Sequence, residues 1–329
     1  MKIPTVLTLL LSTLCFTILI AAEAAAQVAE AAKREKILYF TRSSGNGHSP
    51  ARMRDDGTTL SGAALKQYCE ERNIELVESH DGTIFDGDVS EYDAFVFYTT
   101  GGLQDENNRV PSMLPMSDTG IMNLIESVRS GKGFVAIHAG SDTHSKLRID
   151  GKCPYVAMVG GRFTGHGPSQ FMTIQAVEPV EVPWLKEVNG KFTAYEEWYA
   201  MREFNPDMRV IFAMQTKDLY PHPDNIKHYG RPDFPLCWIR MEGKGRVAYT
   251  PMGHDDRFWW NDWNVRTVGE FIEWSLGRFD MDMTPNIDEV CPGYAEMPKR
   301  ECGTDHFAGT FVCPREWTIQ DNGNDCGDG

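Results

Sequence analysis

Gly-Phe-Val-Ala-Ile-His-Ala-Gly, residues 133–140, is the stretch from which the architecture of this chain can be worked out. Its apolar half is typical of a buried strand, and the small residues that follow indicate a sharp turn at the strand's carboxyl end. Such a turn exposes the residue that serves as a nucleophile in many α/β enzymes. Here that residue is His138, and a histidine does not form a durable acyl-enzyme as a cysteine thiolate does. The turn is therefore expected to present an acid/base group or a metal ligand.

Strands and helices alternate on the amino-terminal side of this stretch. Apolar runs predict strands at 36–40, 75–79 and 94–98, and a helix over 58–73 with Leu60, Ala64 and Tyr68 on one face. A second helix, capped by Ser117 and ended by Gly131, follows the i, i+3, i+4, i+7 pattern. Strands separated by helices predict a doubly wound, mostly parallel α/β sheet of the flavodoxin-like kind, with ligands at the carboxyl ends of its strands.

The second half of the chain departs from this simple alternation. Strands are predicted at 169–177 and 208–214, and 235–241 pairs with 246–251 as an added β-hairpin. A closing helix is predicted over 263–276. One α/β domain at 36–280 accounts for these elements.

The two ends of the chain differ from this domain in composition. Residues 1–26 carry an apolar run followed by Ala24-Ala25-Ala26, the layout of a cleaved secretory signal peptide, and 27–35 would be a linker. A retained membrane anchor is the alternative, because about 18 apolar residues just span a bilayer. We expect cleavage at the A-x-A site and an exported protein, periplasmic or extracellular, with no membrane attachment afterwards.

Residues 281–329 form a Cys-rich tail. Its cysteines are Cys291, Cys302, Cys313 and Cys326. In an exported protein, this pattern predicts two disulfides whose pairing the sequence does not choose. The alternative is a four-cysteine zinc site, although the wide spacings contain no C-x-x-C pair. Cys69, Cys153 and Cys237, in the body of the chain, are expected to be inert.

The charge of the chain restricts its partners. The formal net charge is −15, and cleavage of 1–26 leaves it unchanged because Lys2 and Glu23 cancel. An acidic surface argues against nucleic acid and anionic membranes as partners. It says nothing about a neutral small molecule. The sequence leaves the oligomeric state undetermined.

Four histidines stand at strand ends or in glycine-rich turns, where a side chain can meet a ligand. They are His48, His138, His166 and His254. Each lone histidine also fits an ordinary surface position, and Gly45-x-Gly47 beside His48 lacks the remaining residues of a P-loop. Histidine exchanges protons near neutral pH, and with carboxylates it suits a divalent metal such as zinc. No H-E-x-x-H pair appears, so the distant loops would have to assemble any metal site.

These segments together resemble the ThuA-like (trehalose utilisation) family, which has the fold of class I glutamine amidotransferases. The resemblance covers approximately 36–278 and lies in the order and spacing of five pieces. They are the first strand with its loop histidine, residues 133–140 with Asp142-Thr143, Gly-Gly-Arg-Phe-Thr-Gly-His at 160–166, Glu197-Trp198-Tyr199, and Gly-Arg-Val-Ala-Tyr-Thr-Pro-Met-Gly-His at 245–254. The elbow cysteine of the amidotransferases is His138 here, which argues against glutaminase activity.

The resemblance implies carbohydrate catabolism, with a disaccharide or a 3-keto-glycoside as substrate and a lyase, isomerase or hydrolase reaction. The candidate catalytic residues are His138, His166, His254, Glu197 and Asp142. The candidate substrate-binding residues are His48, Trp198, Tyr199 and Arg162, although the two aromatic residues also fit a packed core. We expect the three catalytic histidines to converge in one cleft. The alternative function is a non-catalytic carbohydrate-binding or accessory protein.

Overall fold

The structure, a computed structural model, describes residues 34–44, 47–107, 113–216, 219 and 233–295. The chain divides into two units, residues 1–35 and 36–329, and the second unit contains the α/β fold. The expected signal peptide, most of the linker and Cys302, Cys313 and Cys326 lie outside the described residues, so export and the disulfides stay predictions. No helix in the described ranges is long and apolar enough to cross a membrane.

The elements of secondary structure follow the chain in this order. The strands are β1 (Glu35–Phe40), β2 (Ile74–Ser79), β3 (Ala94–Phe97), β4 (Gly101–Gly102), β5 (Gly133–Ile137), β6 (Thr143–His144), β7 (Arg162–His166), β8 (Gln170–Gln175), β9 (Lys191–Glu196), β10 (Tyr199–Arg202), β11 (Arg209–Gln215), β12 (Asp233–Glu242) and β13 (Gly245–Thr250). The α-helices are α1 (Leu60–Glu70), α2 (Asp118–Ser130), α3 (Pro154–Val159), α4 (Pro183–Glu187), α5 (Asp256–Trp259), α6 (Asp262–Ser275) and α7 (Ile287–Val290).

A seven-stranded sheet in the order β11-β12-β13-β5-β3-β1-β2 forms the centre of the domain. The neighbouring pairs β1–β3, β3–β5 and β5–β13 are parallel, whereas β12 runs antiparallel to both β13 and β11. Every residue of β3 and β5 is buried, as expected of parallel strands covered on both faces. The predicted doubly wound, mostly parallel α/β fold with a hairpin addition is confirmed.

Helices cover the two faces of the sheet and enclose two hydrophobic cores. Side chains alternate along β1, so that Ile37 and Tyr39 enter one core while Leu38 and Phe40 enter the other. Helices α1 and α6 pack on the first face, and α2 and α3 on the second. The sheet is therefore rigid up to the carboxyl ends of its central strands, where the candidate residues lie.

Helix α2 has the boundaries that its capping residues predict, whereas α1 is shorter than predicted and turned about its axis. The Ser117 hydroxyl accepts from the Gly120 amide, and Gly131 ends α2. In α1 the buried apolar side chains are Leu65, Tyr68 and Cys69, while Leu60 and Ala64 are only partly buried. The Tyr68 ring lies over Gly269 of α6, where a Cβ atom would come within 2.2 Å of the ring. This close approach of α1 to α6 determines which face of α1 is buried. The spacing of apolar residues along α1 does not reveal it.

Two short antiparallel pairs stand outside the central sheet. The predicted strand at 169–177 forms as β8 and pairs with β9. Residues 162–166, which the sequence suggested as part of a glycine-rich turn, instead form β7 and pair with β10. In this register Tyr199 lies opposite His166. The pairing brings two family motifs that are distant in sequence to the same end of the main sheet.

The first part of the tail packs onto the domain. Ile287 and Cys291 are buried in the second core, and the Asn286 side chain bonds both backbone groups of Val210 in β11. These contacts hold the first part of the tail against the edge strand β11. In the body of the chain, burial raises the pKa of the Cys69 thiol to about 12, which fits its expected inertness.

Candidate active site

His138 occupies the turn after β5 in a backbone conformation that is unusual for a residue with a side chain. Its φ is 47°, in the left-handed region, and it begins a single 3₁₀ turn over His138–Ser141. The imidazole is fully buried. Its Nδ1 lies 2.6 Å from the Pro251 carbonyl, which can only accept, so Nδ1 carries the proton and the Nε2 lone pair faces the Tyr199 hydroxyl at 2.7 Å. The predicted strand and turn are confirmed, with histidine held in one tautomer.

A single carboxylate oxygen, Oε2 of Glu197, is the centre of the candidate site. It lies 3.2 Å from Nδ1 of His254, 3.5 Å from Nε2 of His166 and 3.6 Å from Nε2 of His138. Glu197 stands between β9 and β10, and the three histidines follow or end β13, β7 and β5. The expected convergence of His138, His166 and His254 is observed, and Glu197 holds them together.

His48 completes the cluster from the loop after β1. Its ring centroid is 4.6 Å from that of His138 and 5.4 Å from that of His254. The Nδ1 atom of His48 is buried and has no hydrogen-bond partner among the described residues, whereas the buried Nδ1 of His254 faces Glu197 Oε2 at 3.2 Å. A buried nitrogen without a partner is costly, so Nδ1 of His48 points to a ligand that it would bind.

Four of these residues have the arrangement of a metal site. One ligand atom from each of His48, His138, Glu197 and His254 lies within 4.8 Å of the other three. Zinc binds histidine nitrogen and carboxylate oxygen at about 2.0–2.1 Å, which places tetrahedral ligands about 3.4 Å apart. The observed 3.2 and 3.6 Å separations from Glu197 to His254 and His138 bracket that spacing. The donor set therefore fits zinc or a similar divalent cation.

The protonation states of His48, His138 and Glu197 suit a cation. Burial lowers the pKa of His48 to about 3 and also lowers the pKa of His138, so both imidazoles are neutral at pH 7. Burial alone would raise the pKa of Glu197, but the hydrogen bond from His254 and the charges of His166 and His254 outweigh it and hold that pKa well below its usual range. In His254 burial is outweighed by the hydrogen bond and charge of Glu197, which raise the pKa, so this imidazole would have to release a proton to coordinate. Neutral imidazoles with an ionised carboxylate are the forms that coordinate metals.

The sequence over residues 36–275 matches the family described as ThuA, trehalose utilisation. The chain belongs to the ThuA family. The predicted family is thereby confirmed, and its description associates the protein with carbohydrate metabolism. No curated protein sequence matches the chain.

Two solved structures of ThuA-like proteins agree with this assignment at the level of the fold. A ThuA-like protein from Bacteroides uniformis is 19% identical with a TM-score of 0.51, over 72% of this chain and 90% of that one. A ThuA-like protein from Parabacteroides merdae is 18% identical with a TM-score of 0.50, over 76% and 92%. A glutamine amidotransferase from Thermotoga maritima is 11% identical with a TM-score of 0.42, over 74% and 99%. Identities this low show the ThuA fold and not a shared reaction.

Glu196 is a residue of the ThuA site that the sequence reasoning missed. Its carboxylate accepts from the backbone N–H groups of Gly253 and His254, at 2.9 and 3.2 Å. Burial raises its pKa to about 8. Glu196 thus fixes the loop that carries His254, while the next residue, Glu197, meets the imidazoles. The two adjacent carboxylates, Glu196 and Glu197, would have been the available signal, because successive side chains of extended backbone point to opposite faces.

Three of the expected site residues lie outside the histidine cluster. Trp198 is fully buried and donates its indole N–H to the Gln170 carbonyl, so it is part of the core rather than an exposed sugar platform. Arg162 is buried and pairs with Glu203 at 2.9 Å. Asp142 interacts electrostatically with Arg162, and no hydrogen bond or ion pair joins its carboxylate to a histidine of the described chain. Tyr199, in contrast, is in the cluster, although its buried ring offers no open face.

Asp142 gives a test of this electrostatic description. Burial raises its pKa to about 7, whereas an unfolded aspartate titrates near 3.9. Between these values the folded state keeps a proton that the unfolded state has released, so wild-type stability falls as the pH rises from about 4 to about 7. Asp142→Asn stays uncharged and is expected to lose less stability over this window. Urea midpoints at about pH 4.5 and pH 8 measure the difference. The exposed control Asp280→Asn should show the same change in urea midpoint between about pH 4.5 and pH 8 as wild type. If Asp142→Asn also showed the wild-type change, the raised pKa of Asp142 would be contradicted.

Proposed function

We propose that this ThuA protein is an exported enzyme that acts on a disaccharide or a 3-keto-glycoside, with a divalent cation such as zinc held by His48, His138, His254 and Glu197. The observation that carries the proposal is the convergence of three histidine nitrogens on Glu197 Oε2, at 3.2 to 3.6 Å. The family description, trehalose utilisation, supports a sugar as the substrate. A glutaminase reaction is not proposed, because a histidine stands at the elbow.

When bound, the cation would polarise the carbonyl of a 3-keto sugar and make the neighbouring C–H more acidic. The protein prepares the ligands for this: the Pro251 carbonyl fixes the proton of His138 on Nδ1 and leaves Nε2 for coordination. The Tyr199 phenol donates to that same Nε2 at 2.7 Å. The phenol thus occupies the position on Nε2 that a cation would take.

His166 is the residue best placed to move a proton. Its Nδ1 donates to the Gly167 carbonyl at 2.7 Å, and its Nε2 faces Glu197 Oε2 at 3.5 Å, so Nε2 is the atom at which a proton can be taken up or released. The side chain is 34% exposed, whereas His138 is fully buried, so His166 can reach a substrate that enters from solvent. Removal of a proton next to a carbonyl begins an elimination or an isomerisation. Hydrolysis by paired carboxylates has less support, since Glu196 bonds backbone and only Glu197 enters the cluster.

The test follows trehalose, 3-keto-trehalose and related 3-keto-glycosides by proton NMR with protein purified without added metal. We expect turnover of a 3-keto-glycoside that stops with a chelator and returns with zinc. Turnover indifferent to the chelator would refute the cation and leave histidine acid/base chemistry. Saturable line broadening without turnover would refute the enzyme and identify a carbohydrate-binding protein.

A further inference from the structure

A groove of about 540 Å³ lies on the surface between α1 and the segment that joins α5 to α6. Its lining includes Gln67, Tyr68, Arg72, Trp260, Asp262 and Trp263. The volume is within the range of small-molecule sites, and aromatic walls with a few polar groups are their usual lining. None of these six residues belongs to the candidate active site.

The aromatic side chains of the groove are positioned by the protein itself. The Trp260 indole is 68% exposed, an unusual state for so large an apolar group. Trp263 packs edge-on against the buried Trp184, with ring centroids 5.9 Å apart. Between them, the Asn261 side chain caps α6 by accepting from the Trp263 amide at 2.9 Å. Trp263 is thus set at a fixed position, which lowers the entropy cost of binding a ligand against it, and Trp260 presents its exposed indole beside it.

The charge of the groove favours a neutral ligand. Its charged lining residues are two carboxylates, Glu71 and Asp262, and two guanidiniums, Arg72 and Arg266, in a chain whose formal net charge is −15. Because the groove has equal numbers of positive and negative side chains, its charge does not favour the binding of an anion over that of a cation.

The two arginines are also engaged within the protein. Arg72 lies 3.2 Å from Glu273 and 3.3 Å from Glu71, and its guanidinium stacks 3.6 Å above the Tyr68 ring. Arg266 is held by Glu187 at 2.6 Å and by Glu270 at 2.7 Å. An anionic ligand would have to compete with these carboxylates, while a cationic ligand would meet guanidiniums on the aromatic walls. What the groove does offer is aromatic surface with hydrogen-bonding groups beside it.

We propose that this groove is a second binding site, which takes a neutral saccharide with one sugar ring stacked on Trp260. The apolar C–H face of a pyranose matches an indole ring, and its hydroxyls match the Gln67 amide and the Asp262 carboxylate. The groove adjoins the histidine cluster through one side chain. Trp259 lines the groove and donates its indole N–H to the carbonyl of Gly253, the residue before His254. The proposal needs no chemistry at the cluster and stands without it.

The test measures binding of trehalose and maltotriose by ligand-detected NMR and calorimetry. We expect Trp260→Ala to weaken saccharide binding about tenfold, and Gln67→Ala to weaken it in the same direction. The matched control is Phe171→Ala, which removes another exposed aromatic, 73% exposed on β8 and outside the groove, and should bind as wild type does. The measurements are repeated in Glu197→Gln, where binding in the groove is expected to persist, so that the two sites are separated.

Three results would overturn the groove proposal. The first is equal saccharide binding by wild type and Trp260→Ala, and the second is no saturable binding in the groove at all. The third is a change in molecular mass by light scattering in Trp260→Ala, which would show that a second copy of the chain covers this surface. Each leaves the active-site proposal intact, since that proposal rests on turnover and its response to chelator.

Discussion

Glu197→Gln is expected to lower zinc affinity about 100-fold or more and to reduce turnover of the sugar substrate about 1000-fold. The change removes the one negative charge that faces three histidine nitrogens, at 3.2 to 3.6 Å. It also removes the interaction that raises the pKa of His254 against the opposing effect of burial. An amide oxygen of the same shape would remain, so loss of charge rather than loss of volume causes the effect. Calorimetric titration with zinc and the NMR assay measure the two quantities.

The matched control is Glu91→Gln, which removes a carboxylate from an exposed ion pair with Lys36. This pair lies where β1 and β3 begin, and the candidate site lies where the parallel strands end. Exposed ion pairs contribute about 0–1 kcal/mol, so this variant should bind zinc and turn over substrate as wild type does. Near-ultraviolet circular dichroism checks that both variants keep the fold. Wild-type zinc affinity in folded Glu197→Gln would remove Glu197 from the metal site.

Trp198→Ala is expected to destabilise the protein by about 3–5 kcal/mol, the usual cost of truncating a buried tryptophan. The indole is fully buried and its N–H donates to Gln170 at 3.0 Å, so the variant creates a cavity and leaves a carbonyl without its partner. A domain of this size loses about 2–4 °C in melting temperature per kcal/mol, which gives a fall of about 10 °C. Calorimetric melting measures this shift.

Trp260→Ala is the control for this second result, because it removes the same side chain from an exposed position. Surface substitutions usually change stability by less than about 0.5 kcal/mol, so its melting temperature should stay near that of wild type. A stable Trp198→Ala protein that binds sugar poorly would reverse the assignment of Trp198 to the core.

The parallel half of the fold could be predicted from sequence because local signals and tertiary contacts agree there. Ser117 and Gly131 mark the ends of α2, and the apolar run before His138 becomes a strand buried on both faces. The prediction for α1 was less accurate. The helix begins after its capping residue Thr59, and the face that it buries depends on the contact between Tyr68 and Gly269 of α6. The β7–β10 pairing was missed for a similar reason: its hydrogen-bonding partners lie more than thirty residues apart, and no local pattern encodes that register.

The candidate site could be predicted as a set of histidines but not as a geometry. Residues at the ends of parallel strands meet at one edge, which is why His48, His138 and His254 converge as expected. The Glu196 side chain bonds the backbone of the His254 loop, and the Glu197 side chain contacts the histidines. Which carboxylate takes which direction depends on the register of the β8–β9 pair, and the sequence does not determine that register. Asp142 interacts with Arg162, the first residue of β7, rather than with a histidine. Because β7 was not predicted as a strand, this interaction could not be predicted from the local sequence either.

The four proposed ligands come from four separate segments, and the first and last stand at residues 48 and 254. An unfolded chain cannot bring them together, so a cation would bind only the folded protein and would stabilise it by mass action. At a free cation concentration of 100 times the dissociation constant, that linkage contributes about 2.7 kcal/mol. The metal supply of the compartment would then determine the lifetime of the protein as well as its activity, and starvation for the cation would expose the chain to proteases.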